Sequence, residues 1–432
     1  MTENYDVIII GAGVIGASVA KEMAQSGKKT LSIDKLPEAG YGSTSGSCAI
    51  IRTYYSAFET CALAYQSWFY WKQWADYIGA IDEAGLVTYH DTGCLVIKTD
   101  QNKQLGEVCQ MMGEVGCPFE VIPPEEIENR LPGVDTQSFY PPKRPEDDGF
   151  GEPTGPSVHG AVFFPRGGYV SYPQLAAHNI QRSAEAAGAN FIFNAEVCEI
   201  RKNNGRVAGV TLADGDKIDA PIVINVAGPH SFVVNRLAGV TDDMKISTRA
   251  LRHEVAHVPA PDDLDFENNG IIYSDSDIYT YARPEIGNNI LIGSEDPECD
   301  VQEWIEDPDH FDENLSEQTK VLAMRLAQRI PSLGIPERAR GVVALYDVTE
   351  DWMPIYDKSS LPGFYMAIGT SGNQFKNAPV VGKMMLELVE AVENGHDHDS
   401  DPVRFHLEKY LKISHWVHSL AKERSTKIPA FQ

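Results

Sequence analysis

The chain has 432 residues, enough for two or three domains with real cores. Its hydrophobic content of 43% and charged content of 23% are ordinary for a globular protein in water. A formal charge of -26 argues against a nucleic-acid partner, whose phosphates it would repel, and against docking on anionic lipid.

The seven cysteines, Cys48, Cys61, Cys94, Cys109, Cys117, Cys198 and Cys299, contain no CxxC pair. No zinc or iron–sulfur site is expected, and no metal is assigned. Odd in number and scattered, they read as free thiols in a reducing compartment. The acidic first residues lead into a strand rather than a signal peptide, and no apolar run reaches membrane-spanning length. The expectation is a cytoplasmic protein.

The first strand is the apolar run 7–10, which leads straight into Gly11, Gly13 and Gly16. Such a run reads as a buried parallel strand. Gly11 permits the tight turn, Gly13 lets a diphosphate approach the backbone, and Gly16 lets the next helix pack close. That helix, predicted over 14–26 and opening on Val14 and Ile15, aims free N–H groups and its positive dipole end at the phosphates. The second strand, 30–34, ends in Asp34 with Lys35 beside it. Asp34 comes about 18 residues after Gly16, near the spacing of a ribose-binding carboxylate. The unit reads as dinucleotide-binding, and on its own it does not choose between FAD and NAD.

Residues 37–47 are small and polar, a loop able to lay N–H and hydroxyl groups along a cofactor. Arg52 then stands in an apolar and aromatic stretch, as either a structural ion-pair partner or a functional cation. A helix over 63–77 carries Trp68, Trp71 and Trp74 at three-residue steps, a core face rather than an aromatic cage. A strand pattern follows over 88–98, then a polar helix, then a short helix from Pro123. Residues 140–160 hold too many Pro and Gly breakers for a regular element and read as a long surface loop. A lid, a subunit contact and disorder are all open there.

A helix is predicted over 173–187, ended by Gly188, followed by strands at 191–193, 196–200, 206–212 and 219–226. The last runs into Ala227 and Gly228, a strand end of the kind that borders a ligand in a parallel sheet. Residues 246–338 break the α/β rhythm. Short consecutive strands there read as a mainly antiparallel sheet, with a helix over 315–330 and a solvated acidic stretch at 295–313. A strand at 363–369, a glycine-containing loop at 370–376 and a helix at 379–394 form a second unit able to receive an electron-rich group. The tail, 401–432, is expected to carry a helix near Arg404.

Several separated stretches resemble one family: residues 8–16 with Asp34, 42–52, 167–188, 223–231, 281–285 (Tyr-Ala-Arg-Pro-Glu), 349–354 (Thr-Glu-Asp-Trp-Met-Pro) and 364–382. Their order and spacing are similar to those of the FAD-dependent D-amino-acid-oxidase-type oxidoreductases. The nearest branch is that of monomeric sarcosine oxidase, the sarcosine and dimethylglycine dehydrogenases and glycine oxidase. The resemblance covers the chain to about residue 395 and implies FAD rather than NAD. It implies an α/β fold with two domains: a Rossmann-like FAD-binding domain (1–86, 155–245 and 339–400) interleaved with a mainly antiparallel substrate domain (87–154 and 246–338). The tail after 401 is an appended extension.

The same resemblance implies roles. Gly11, Gly13, Val14, Ile15, Gly16, Asp34 and Lys35 would hold the ADP half. Ser43, Thr44 and Ser45 would wrap the diphosphate and flavin, and Ala227 and Gly228 would border them. Val197 would meet the adenine. Gly369, Gly372, Asn373, Gln374, Phe375 and Lys376 would cover the flavin edge. Arg52 and Lys376 match the cations that clamp the substrate carboxylate in sarcosine oxidase, a sensible pairing because two charge-assisted partners fix one end of a small substrate. Tyr346 matches a tyrosine beside the flavin, and Tyr55 lines the same cavity.

The departures matter as much. The covalent-flavin cysteine of some members is Ala344 here, and the histidine that others place after the first βαβ unit is absent from residues 43–47, which implies non-covalent FAD. The oxygen-activating lysine becomes Leu291, and a nearby active-site histidine becomes Glu295. Fast reaction with oxygen is therefore in doubt, and an electron-acceptor protein is as credible as O2. Glu295 would shape the amine end of the substrate or meet a second cation on a larger one.

The expected function is oxidation of the C–N bond of a carboxylate-bearing, sarcosine-like amine to an imine that hydrolyses. Oxidation of 2-hydroxy acids or D-amino acids on the same fold is the alternative. The former calls for a histidine base, for which His230 and His253 are the candidates, both read as structural. A flavin subunit of a larger amine dehydrogenase complex is a further alternative, and homo-oligomerisation stays open.

Overall fold

The computed structural model describes residues 4–407. Its first sheet has six strands in the order Ile355–Lys358, Phe364–Ile368, Ile222–Asn225, Val7–Ile10, Thr30–Ile33, Asn190–Ile192. All pairings are parallel except that of Ile355–Lys358 with Phe364–Ile368. The central strand Val7–Ile10 is buried on both faces, which is why its sequence is an unbroken apolar run. Val7 and Ile9 pack into the core shared with the helices Val14–Gln25, Pro173–Ala186 and Ala378–Glu393. Ile8 and Ile10 face the opposite way, into a core with Ile200, Val207 and Val210. Those residues belong to a three-stranded antiparallel sheet, Val197–Asn203, Arg206–Leu212 and Lys217–Asp219.

The second large sheet has nine strands and is antiparallel apart from one pairing, Ile272–Asp275 with Cys94–Ile97. Its longest ladder joins Thr248–Pro259 to Gly341–Thr349. Two of its strands come from segments expected on the cofactor side. Ala161–Phe164 pairs with Cys94–Ile97, and Gly341–Thr349 pairs with Thr248–Pro259. The sheet that each joins is decided by long-range pairing, not by local pattern.

A small fourth sheet, Ile50–Ile51, Gly168–Val170 and Tyr89–His90, fixes the chain just before Arg52. The tryptophan helix breaks at Gln73 into Phe58–Lys72 and Trp74–Ile78. Trp68, Trp71 and Trp74 are all buried, and Trp71 stacks on Trp74 at 4.4 Å, so the stripe is core. Residues 140–160 carry no helix or strand but are tied down. Arg144 pairs with Asp300 and Glu146, and Asp277 accepts from the Ser138 hydroxyl and the Phe139 N–H at the loop's entry. Residues 401–407 run without regular structure and bury Phe405 and Leu407, so no helix starts at Arg404. The rest of the expected extension lies outside the described residues.

Candidate active site

The glycine turn is built as its sequence requires. Gly11 has φ +109°, and a Cβ there would overlap the Val226 carbonyl oxygen beside Ala227. A Cβ at Gly16 would overlap the Gly11 carbonyl oxygen, which is how closely helix and strand pack. The N-cap residue Gly13 has no side chain to cap the helix Val14–Gln25, and the first turn holds no acid. The Val14 N–H donates to Thr44 Oγ1 at 3.1 Å, so the 37–47 loop does reach the helix start. A helix N-terminus without a side chain of its own at the cap, beside small residues, fits a diphosphate.

Asp34 accepts from the Ala12 N–H at 2.6 Å and the Leu36 N–H at 2.9 Å, one bond per oxygen, leaving lone pairs for ribose hydroxyls. Burial raises its pKa against those two donors. Lys35 Nζ instead meets His230 Nε2 at 2.9 Å and the Asp309 carboxylate. Beside it runs a groove lined by Leu36, Asn194, Ala195, Glu196 and Leu212. Val197 itself is buried in its strand and does not line that groove. Ser43 donates to the Leu345 carbonyl at 2.6 Å, while Ser45 is exposed and closes only its own turn on Tyr41 and Gly42. The Ala227 N–H donates to Asn225 Oδ1 at 3.1 Å, and Gly228 opens a short 3-10 turn with φ +55°.

A cavity lies between the segment 47–56, the end of the nine-stranded sheet and the loop 371–376. Arg52, Tyr55, Glu295, Tyr346, Gly372, Asn373, Gln374, Phe375 and Lys376 all line it. Gly369 does not. It sits one turn away with φ +67°, its N–H held by Asp347 at 2.7 Å. Asp347 also takes the Thr370 hydroxyl, so one buried carboxylate shapes the loop, and burial raises its pKa.

Lys376 is buried, with its Nζ donating to the Tyr55 hydroxyl and the Asn373 carbonyl. Burial lowers its pKa. Burial also pushes the Tyr55 phenol up, but Lys376 and Arg52 outweigh it and leave the phenol below its usual value. The Arg52 guanidinium lies over the Tyr55 ring at 4.7 Å and the Tyr54 ring at 5.5 Å. Among the described residues no carboxylate comes within ion-pair distance of it. The structural ion pair that the sequence left open for Arg52 is not made.

On the other side of the charge balance stand groups from the nine-stranded sheet. Glu295 follows the strand Asn289–Ser294 and accepts from the hydroxyls of Ser274 and Ser276, the latter at 3.0 Å. Burial pushes its pKa up to about 7 against those donors. Leu291, in the same strand, pairs in register with Arg283 and His257 and does not line the cavity.

His253 lines the cavity, stacks on Tyr346 at 4.2 Å and lies 3.3 Å from Asp296 Oδ2. His230, 3.0 Å from Asp309, remains structural. Nothing in the sequence assigns a role to Ser274, Ser276 or Asp296, and Tyr281 and Trp352 stand there only as members of longer stretches. All five line the cavity except Ser276, which stands behind Glu295. Tyr281 and Trp352 lie in stretches that carried the resemblance, and that was the available signal. Elsewhere Asp82, Glu83 and His178 come close enough to hold a cation, but Asn179 and His178 already occupy Asp82, and Arg182 occupies Glu83.

The chain is 25% identical to "Glycine oxidase" of Geobacillus kaustophilus over 92% of its length and 96% of the relative's. It is 23% identical to "Monomeric sarcosine oxidase" of Bacillus sp. over 92% and 95%. The crystal structure of L-proline dehydrogenase from P. horikoshii superposes with a TM-score of 0.74 at 22% identity, covering 93% of this chain and 98% of that one. At that identity the likeness speaks for the fold. No described helix is long and apolar enough to cross a membrane. The family model for FAD dependent oxidoreductases matches residues 6–388, from the first strand to within the last described helix, and the chain belongs to that family.

Proposed function

We propose that the chain oxidises the C–N bond of a small carboxylate-bearing amine, a secondary or tertiary N-alkyl amino acid, to an imine that hydrolyses in water. The observation that carries this is the meeting of two cations, Arg52 and Lys376, with carboxylates, Glu295 foremost and Asp296 and Asp351 with it, in a single cavity. A zwitterion has the complementary charges. Arg52 and Lys376 receive the carboxylate, with the Tyr55 hydroxyl poised between them. Tyr346 and Glu295 shape the amine end. Bound FAD supplies the two-electron acceptor for the hydrogen leaving the carbon next to nitrogen.

The residues expected to hold FAD are the glycine turn with Val14 and Ile15, Asp34, Thr44, the Ala227–Gly228 turn and the loop 371–376. Attachment is non-covalent in this reading. Ala344 offers no nucleophile, and a Cβ at Gly46 would stand 2.7 Å from the Ala344 Cβ. The names of the relatives, glycine oxidase, sarcosine oxidase and L-proline dehydrogenase, agree with an amino-acid substrate.

The test is anaerobic bleaching of the flavin, screened across N-methyl amino acids, cyclic amino acids, D-amino acids and 2-hydroxy acids. The expected result is reduction by an N-alkyl amino acid with a carboxylate. Reduction by hydroxy acids alone would overturn the reading.

A further inference from the structure

Four carboxylates cluster at the end of the nine-stranded sheet: Asp275, Asp277, Glu295 and Asp296. Arg329 serves the first two, reaching Asp275 at 2.6 Å and Asp277 at 3.1 Å. Asp296 has His253. Glu295 has only the hydroxyls of Ser274 and Ser276, and among the described residues no cation comes within ion-pair distance of it. It nevertheless lines the cavity that holds Arg52 and Lys376. A half-buried carboxylate on a cavity wall without a counter-ion is costly unless something arrives to pair with it. Two donors fill part of its capacity and leave lone pairs for one more.

From this we infer that Glu295 is the counter-ion and proton acceptor of the substrate ammonium, so that the site takes amino acids as zwitterions and discriminates against 2-hydroxy acids of the same shape. The inference rests on the amine reading above. In the step, an N–H bond of the ammonium breaks. The proton passes to a Glu295 carboxylate oxygen, and the electron pair stays on nitrogen, where it is needed to form the C=N bond. A carboxylate that titrates near neutrality suits that exchange. The groups acting on it are Ser274 and Ser276 as donors, Asp275 as a like charge, and Arg52 as an opposite one. Tyr54, Tyr279 and the adjacent Asp296 complete its surroundings.

The test uses the FAD-loaded full chain and two unreactive ligands of nearly equal shape, N,N,N-trimethylglycine and 3,3-dimethylbutanoate. Both carry the carboxylate, but only the first carries the positive charge. Calorimetric binding at about pH 8 should favour the cation by roughly 10-fold or more, since a desolvated charge pair is worth about 1.4 kcal/mol or above. The preference should vanish in Glu295→Gln, and in the wild type at about pH 5.5, where the raised carboxyl is protonated.

Flavin reduction by the best amine at limiting concentration should rise with pH around 7 in the wild type. In Glu295→Gln the rise should move toward the alkylammonium range, about 10. Ser274→Ala removes one donor and should shift the wild-type rise to higher pH without abolishing it, an effect that a purely structural serine would not produce. An equal cation preference in wild type and Glu295→Gln would overturn the inference. So would a pH profile untouched by both variants. If no amine bleaches the flavin of either protein, the amine reading fails on its own, because the ligand pair still reports on Glu295.

Discussion

Lys376 donates its ammonium to the Tyr55 hydroxyl, and that hydroxyl donates onward to the Asn373 carbonyl at 3.3 Å. The two residues are 321 apart in sequence, so the contact joins the segment after the small sheet to the loop before the last helix. It also keeps a buried cation satisfied until a carboxylate arrives. Tyr55→Phe should therefore lower kcat/KM by about 10- to 100-fold, the cost of a hydrogen bond to a charged group. Because Tyr55 supports the charge on Lys376, the variant's ammonium should lose its proton at lower pH still. Carboxylate-ligand affinity, lost as pH rises through that pKa, should then fall off earlier than in the wild type. A pH profile of binding that does not move would show that the hydroxyl leaves Lys376 unaffected.

Gly372 is held at φ +67°, and a Cβ there would overlap the Tyr346 ring. Gly372→Ala should displace Tyr346, cost about 1–3 kcal/mol and reduce the FAD retained on gel filtration. Gly27→Ala is the control. Gly27 has φ +89° but nothing within 4 Å of the added Cβ, so it pays backbone strain alone. Equal losses in the two variants would argue against the ring contact.

Asp34 receives two backbone N–H groups besides any ribose. Asp34→Ala orphans both donors and should weaken FAD binding by about 10- to 100-fold, as for the loss of one or two charge-assisted hydrogen bonds. Fluorescence titration of the apoprotein measures this directly. Asp34→Asn, which keeps one acceptor oxygen, should fall between Asp34→Ala and the wild type.

Glu295 also predicts a stability profile. Burial pushes its carboxyl up to about 7 in the folded protein, from an ordinary 4.5. Between those values the folded chain binds a proton that the unfolded chain has released, so stability falls as pH rises through the window. The total is about 3 kcal/mol at 1.36 kcal/mol per pKa difference of one. Glu295→Gln should accordingly melt above the wild type at about pH 8 and with it at about pH 5, a stabilisation obtained at the expense of function. A constant offset at both pH values would assign the effect to packing rather than ionisation.

The parts of this molecule legible in the sequence are those whose signal is local. The run 7–10 with Gly11, Gly13 and Gly16 announces its turn because strand, turn and helix start share one short window. Arg52, Tyr346 and Lys376 could be placed only through resemblance, since nothing near them in sequence says that they share a cavity. His253 lines the same cavity, and nothing near it in sequence says so. Its neighbours Asp296 and Tyr346 reach it through the pairing of Thr248–Pro259 with Asn289–Ser294 and Gly341–Thr349. Register across a sheet is set by long-range pairing that no single window contains. The break of the tryptophan helix at Gln73 was hidden by an apolar spacing that continues through it.

The strand Gly341–Thr349 gives neighbouring residues opposite duties. Tyr346 points into the cavity and Asp347 holds the Gly369 N–H on the other side. Strand geometry allows this because successive side chains alternate faces. It also makes the strand intolerant of length changes. Deleting one residue between 341 and 345 while the ladder to Thr248–Pro259 re-forms would turn Asp347 toward the substrate and Tyr346 toward the loop. The enzyme would then lose its cavity wall and its loop anchor together, although neither residue had been substituted.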